Sequence, residues 1–502
     1  MRRAIRFSYA TLALVLVGGL MFITGCITVG PDYQKPKTEV PEKWQPPPDP
    51  ALVPGQAEIR QWWTVFDDPQ LTSLIQRAAV GNLDLKAAVA KVKEARALVG
   101  VAAGQELPSL SANGEASRQQ DSENVGTGAG AVYNRFALGL ESSWEIDLFG
   151  RIRRTVEAAQ ADYQASEEDR LDLTVSLLAE VARTYFTIRS TQERLAATIK
   201  NIESQKQVLE LTRSRFKNGL ATDLDVSQAE SILASSQASL PPLRISLAQA
   251  IHALSLLLGL APVELRAELS PAKPIPTPPE KVAVGLPADL LRRRPDIRRA
   301  ERQLAAATAR IGVATADLYP SFSLTGQLGL NSSTTGSLFD YSSHFFYLGL
   351  PIKWNIFAGG AIRSQIKVQE AQAEQALYNY QNAILKALGE VEDALTAYVE
   401  QRHTVRALER TVKAARRTLR LAIRLYKDGL KDFQGVLDAQ RSLLEYENQL
   451  AQARGDADIN LAILYKSLGG GWSLAEKQKK PADKQEKPAA SGTNGKEQGS
   501  KQ

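Results

Sequence analysis

At 502 residues the chain is long enough for two or three ordinary domains. Its formal charge of +6 sits at the ends: Arg2, Arg3 and Arg6 open the chain, and 474–502 carries seven Lys against four acids. The body, 26–473, is near neutral, which excludes a nucleic-acid footprint.

Residues 1–25 start basic (MRRAIRF), continue apolar from Tyr9 to Phe22 and end in Ile23-Thr24-Gly25, the three-part plan of a secretory signal. The apolar run is short for a transmembrane helix. Cys26, the only cysteine, follows at once and has no partner for an internal disulfide. This arrangement resembles the lipobox of bacterial lipoproteins, which implies cleavage before Cys26 and its acylation. Ile27 in place of Asp is compatible with outer-membrane sorting of the enteric type. Residues 26–55 are Pro-rich and read as an extended strap; 473–502 is charged, small and Pro-spotted, and reads as disordered.

Between these ends the sequence repeats itself. Gly81–Ala103 aligns with Arg293–Thr315 at an offset of 212 residues, and from Trp144 on Trp354 to Leu258-Gly259 on Leu468-Gly469 the offset is 210. The units are 56–261 and 288–472, joined by the Pro-rich linker 262–287. Each opens with a moderate helix (70–106, 288–318) ended by Pro108 or Pro320. A pair of alternating segments follows, with Phe136, Leu138 and Leu140 in one copy, and Phe322, Leu324, Leu328 and Leu330 with Phe346, Leu348, Leu350 and Ile352 in the other. Gly/Ser-rich tips separate the members, so each unit predicts one β-hairpin.

Next comes a strict heptad: Val181, Ile188, Leu195, Ile202, Leu209 and Phe216, matched by Val391, Tyr398, Val405, Val412, Leu419 and Tyr426. It predicts two supercoiled helices; Arg151 to Lys217 as one helix extends ~100 Å. Each runs into Gly-Leu and reverses into a return helix, 223–258 or 432–468. Thr222 with Asp225 has the capping-box pattern, Asp432 is the candidate cap of the second copy, and Pro241-Pro242 breaks the first return helix. The two shorter helices together match the long one in length and are expected to stack end to end beside it.

Four strands per chain with an apolar face suit lipid, but four cannot close a barrel, and membrane barrels start at about eight strands. The chain therefore has to be oligomeric. Two copies supply eight strands and three supply twelve. Catalytic patterns are missing from the sequence: His252, His344 and His403 are scattered, no HExxH or GxxxxGK[ST] occurs, and GTGAG at 126–130 falls in a hairpin tip. Enzyme activity, cofactor and metal site are not expected beyond a covalent lipid on Cys26.

Val29-Gly30-Pro31-Asp32-Tyr33, Trp62-Trp63 with Phe66-Asp67-Asp68-Pro69, Arg293-Arg294-Pro295-Asp296-Ile297 and Leu468-Gly469-Gly470-Gly471-Trp472 resemble the TolC-like outer-membrane factors. The likeness covers roughly 26–472 and is strongest to the lipoprotein (NodT) branch that serves RND-type efflux pumps. It implies a membrane α+β fold: a homotrimer with a twelve-stranded outer-membrane β-barrel, four strands per chain, continuing into a long periplasmic α-helical barrel. An equatorial domain would form from 40–70, 262–287 and 470 onward.

It also implies partners, a periplasmic membrane-fusion adaptor and an inner-membrane, proton-driven pump, and a passive exit duct for small molecules. Alternatives are a duct for type I protein or oligosaccharide secretion, or a lipid-anchored coiled-coil scaffold without a pore. By position, Asp438 corresponds to the family's aperture carboxylate and Gln434 to a constriction residue that is apolar in some relatives, with Phe433 as an alternative source of bulk. Arg424 and Lys427 are candidates to latch the tip through Asp428 or Asp432. Gly219-Leu220 and Gly429-Leu430 correspond to the adaptor-docking turns. The second copy is the expected gate.

Overall fold

A computed structural model describes residues 27–46, 49–53, 55, 60–124 and 130–472. The signal segment, Cys26, most of the GTGAG stretch and the tail 473–502 lie outside the described residues. In chain order the main elements are α1 (Pro69–Gly81), α2 (Leu83–Gly104), β1 (Ser109–Gln120), β2 (Val132–Ile146), α3 (Arg151–Lys217), α4 (Asp223–Ala238) and α5 (Leu240–Leu257) in the first repeat. The second has α6 (Pro287–Arg293), α7 (Pro295–Ala316), β3 (Ser321–Ser332), β4 (His344–Gly349), β5 (Ile352–Lys353), α8 (Ala361–Lys427) and α9 (Gln434–Ser467). The long helices and hairpins fall where heptad and alternation put them.

Two expectations need correction. The helix predicted over 70–106 is two helices, because Asn82 leaves the helical region (ψ 131°) and donates its side-chain amide to Leu257 O at 2.9 Å. The helix predicted over 288–318 likewise breaks at Arg294, which Pro295 forces out of the helical region (ψ 121°). The return helices behave as the prolines dictate: the first is interrupted at Ser239 with Pro241 and Pro242 opening α5, whereas α9 runs unbroken for 34 residues.

The described chain divides into two compact units, each drawing on both repeats. Unit one holds the strap, 83–173 and 283–399. Its sheet has the order β1-β2-β3-β4, all antiparallel, with β5 continuing the last strand beyond Pro351. The two hairpins pair through Phe136↔Ser332 to Ile146↔Phe322. This register lines up Leu138 with Leu330, Leu140 with Leu328, and Leu328 with Phe346. The resulting apolar face is uncovered: Phe346 is 83% and Leu348 73% exposed. The other face is polar, with Asn113 and Gln327 both donating to the Glu141 carboxylate. Trp144 and Trp354, equivalent in the repeat, each donate the indole N–H to the carbonyl of Glu106 or Leu318, just past the preceding helix.

The strap is stitched to this unit. Val29 N–H donates to Phe149 O, and the buried Arg154 guanidinium holds Val29 O, Gly30 O and the Asp32 carboxylate. Gly30 has φ +87°, and a Cβ there would sit 2.4 Å from Gly312 Cα, so only glycine allows this approach. Farther on, Lys35 pairs with Glu301 at 2.7 Å and Arg302 stacks over Tyr33.

Unit two holds 57–82, 174–282 and 400–472. Around the middle of α3 it gathers the connectors: Trp62 stacks on Tyr465 at 5.8 Å, Phe66 packs on Phe186 at 4.8 Å, and Arg189 binds Gln70 and Pro271 O. At its tip a second apolar cluster joins α3, α4, α8 and α9. Here α3 departs from a simple apolar seam. Thr184, Thr191, Thr198, Gln205 and Thr212, seven residues apart, are all buried (5% exposed or less). Among the described residues no helix is long and apolar enough to cross a membrane.

Candidate functional site

The candidate residues lie together at the tip of unit two, where both long helices reverse. Each turn closes the same way. Leu220 N–H bonds Arg215 O at 2.8 Å and Leu430 N–H bonds Leu425 O at 2.9 Å, while Gly219 (φ +70°) and Gly429 (φ +75°) take the left-handed conformation that such helix ends require. The reversals leave Leu220 64% and Leu430 69% exposed, so two leucines stand at the tip. Thr222 and Asp225 form the capping box, with Asp225 N–H donating to Thr222 Oγ1 at 3.2 Å and Thr222 N–H to Asp225 Oδ2 at 2.8 Å.

The second turn differs. Asp432 does not cap α9; the residue before the helix is Phe433, with no side-chain cap, because the backbone there is already helical (φ −67°, ψ −28°). Phe433 is also not available as surface bulk. It is 2% exposed and packs against Tyr426, ring centroids 5.2 Å apart, in the tip cluster. Gln434 and Asp438 do share an exposed face of α9, and Gln434 Nε2 donates to Asp438 Oδ1 at 3.0 Å. Within the chain the candidate latch is no more than a loose i,i+4 pair, Arg424 to Asp428 at 4.0 Å with Arg424 78% exposed. The side chains of Lys427 and Asp432 form no ion pair among the described residues.

Sequence reasoning missed Arg215. Its guanidinium donates to Lys427 O at 2.9 Å and to Leu220 O at 3.3 Å, and lies over the Tyr426 ring at 4.8 Å. One cation thereby ties the carbonyl end of α8, where the helix dipole places partial negative charge, to the turn that follows α3. Position 215 corresponds to Leu425 in the second copy, so the clasp exists once per chain. Correspondingly Tyr426 is 3% exposed, whereas its repeat partner Phe216 is 44% exposed. The only available signal was an Arg standing where the other copy has Leu.

With this geometry in place, comparison with known proteins decides the family. The model of the outer membrane efflux protein family matches the chain twice, over 74–260 and 286–470, once per repeat. The chain belongs to the outer membrane efflux protein family. Nodulation protein T of Rhizobium leguminosarum bv. trifolii is 32% identical over 471 residues, covering 91% of this chain and 97% of that protein. The solvent efflux pump outer membrane protein SrpC of Pseudomonas putida is 33% identical over 466 residues, 91% and 98% of the two chains. Among solved structures, the outer-membrane channel OprN superposes with a TM-score of 0.83 at 36% identity, covering 88% of this chain and 99% of that one. As an outer membrane efflux protein the chain works at the outer membrane and extends into the periplasm. The uncovered apolar face of its sheet is what a lipid-facing surface requires.

Proposed function

We propose that three copies of this efflux protein assemble into the exit duct of a tripartite, RND-type system, coupled to a periplasmic adaptor and a proton-driven inner-membrane pump. The observation that carries the reading is the open four-stranded sheet with one apolar face exposed in the isolated chain. Its edges, β1 on one side and β4 with β5 on the other, need partners before that face can enter hydrocarbon. Twelve strands from three chains meet that need and agree with the likeness to solved channels. A lipid on Cys26 anchors the strap, which Arg154 holds against α3.

Asp438 lines the periplasmic aperture, where three carboxylates around a threefold axis attract cations. Gln434 braces each of them and supplies a polar constriction where some relatives have an apolar one. The exposed leucines of the two turns, Leu220 and Leu430 beside Gly219 and Gly429, receive the adaptor. Whether Arg424, Lys427, Asp428 and Asp432 latch the tip is a matter of pairing between copies, since the single chain closes only the loose Arg424–Asp428 contact.

Deleting the gene should raise steady-state accumulation of an efflux-probe dye, and a plasmid copy should restore it. Accumulation that is the same with and without the gene contradicts the export reading. The relatives' printed names cover solvents, cations and pyoverdine, so the dye panel should include neutral and cationic members.

A further inference from the structure

In unit two the second long helix carries a pattern that the duct does not use. Residues 405–425 read VRALERT, VKAARRT, LRLAIRL, a seven-residue phrase three times over. The first and fourth positions (Val405, Leu408, Val412, Ala415, Leu419 and Ala422) belong to the tip core or pack on it. The second and sixth positions lie on the opposite side of the helix and are basic without exception: Arg406, Arg410, Lys413, Arg417, Arg420 and Arg424. All six are exposed. The third position, beside the sixth, is small twice (Ala407, Ala414) and then Leu421. The ladder spans ~27 Å of helix. The one acid in 402–427, Glu409, is engaged by Arg454 at 2.9 Å.

Plain solvation does not account for this pattern. Neighbouring rungs are three or four residues apart, and each like-charge pair at that spacing destabilises a helix by about 0.2–0.5 kcal/mol. The first long helix packs through the same heptad positions, yet has Ala196, Lys200, Glu203, Gln207, Glu210 and Ser214 where the ladder has its rungs. A face of mixed charge therefore serves this fold equally well, and the ladder is retained against a local cost.

We propose that the ladder is a docking surface for an acidic α-helix of a periplasmic partner protein. The rungs recur every seven residues, ~10.5 Å, which is the repeat a second helix lying alongside presents. Ala407 and Ala414, beside the sixth-position rungs, leave room for its backbone to approach. A second copy of this chain is a poor occupant, since none of the described helices places acids at both matching positions through three successive heptads. The surface runs along the flank of α8 and only its last rung, Arg424, is shared with the candidate tip latch, so the rungs from Arg406 to Arg420 stand independently of the aperture and of adaptor docking at the turns.

The test titrates the purified full-length protein with two fluorescent probes. One is a coiled-coil peptide with Glu at the two matching heptad positions, and the other an unstructured poly-glutamate of equal charge. The helical probe should bind, more weakly as salt rises. Its Kd should increase about tenfold or more in Arg410→Gln/Arg417→Gln/Arg420→Gln and stay near wild type in the corresponding triple Lys variant. Equal binding to wild type and the Gln variant overturns the proposal, as does poly-glutamate binding as tightly as the helix. A changed single-channel conductance in the Gln variant also overturns it, because the face would then line the duct. Should that variant misfold, a Lys version of the helical probe on wild-type protein decides instead, and binding of that probe contradicts the proposal.

Discussion

Replacing Arg215 with Ala should loosen both turns of the tip at once while leaving the rest of unit two intact. The side chain donates two charge-assisted hydrogen bonds, to Lys427 O and Leu220 O, and covers the Tyr426 ring. At a partly exposed site these contacts together are worth roughly 2 kcal/mol. Amide exchange over 218–222 and 428–433 should accelerate about thirtyfold, whereas amides of α9 in 443–465 should not change. Arg215→Lys keeps the charge but loses the fork that reaches two carbonyls, so it should fall between. The clasp ties the two turns of one chain to each other. Unchanged exchange in Arg215→Ala would show that the apolar cluster alone holds the turns.

The second large effect concerns Asp458 on α9. Its carboxyl is fully buried, neither oxygen has a hydrogen-bond partner among the described residues, and burial pushes its pKa well above the usual carboxylate range. In the unfolded chain it ionises near pH ~4. Between those two values the native state holds one proton more than the unfolded state. Stability therefore falls as pH rises through that window, by about 1.4 kcal/mol per unit, and levels off above the folded-state pKa. The first copy has Ala248 at the equivalent place, so the fold itself has no need of an acid there. Asp458→Asn should be more thermostable than wild type at pH 7.5, with the difference shrinking toward pH 5. Calorimetric melting curves at both pH values provide the check. Parallel profiles for the two proteins would mean that Asp458 is ionised and paired in the folded protein.

What the sequence made legible follows from which interactions are local. Heptads mark α3 and α8 because Val181 to Phe216 and Val391 to Tyr426 each lie on one helical face, and alternation marks the strands because Leu138, Leu140, Leu328 and Leu330 share one side of the sheet. Pro241-Pro242 and Pro295 break helices for covalent reasons, and Thr222–Asp225 caps within three residues.

The remaining features depend on distant partners. Asn82 leaves the helix to reach Leu257 O, 175 residues away. Arg215 reaches a carbonyl 212 residues away. Phe433 reads as a surface residue at a helix start until Tyr426 and Val436 are folded around it. The buried threonines of α3 carry no apolar signal in the sequence; Thr191 and Thr212 return their hydroxyls to their own helix, at Thr187 O and Val208 O, and so tolerate burial. The second copy does carry the face with Asp438 and Gln434, as its unbroken helix suggested, but its aromatic bulk is turned inward and its apparent cap is unused.

On the proposed reading, Asp438 sets the periplasmic opening of an outer-membrane duct. Planar-bilayer recordings of purified wild type and Asp438→Asn under a salt gradient test it most directly. Wild-type protein should give stepwise conductance with a cation-selective reversal potential, and the variant should shift that potential toward zero or change its resting conductance. Superimposable traces from the two proteins, or no conductance from either, would contradict it.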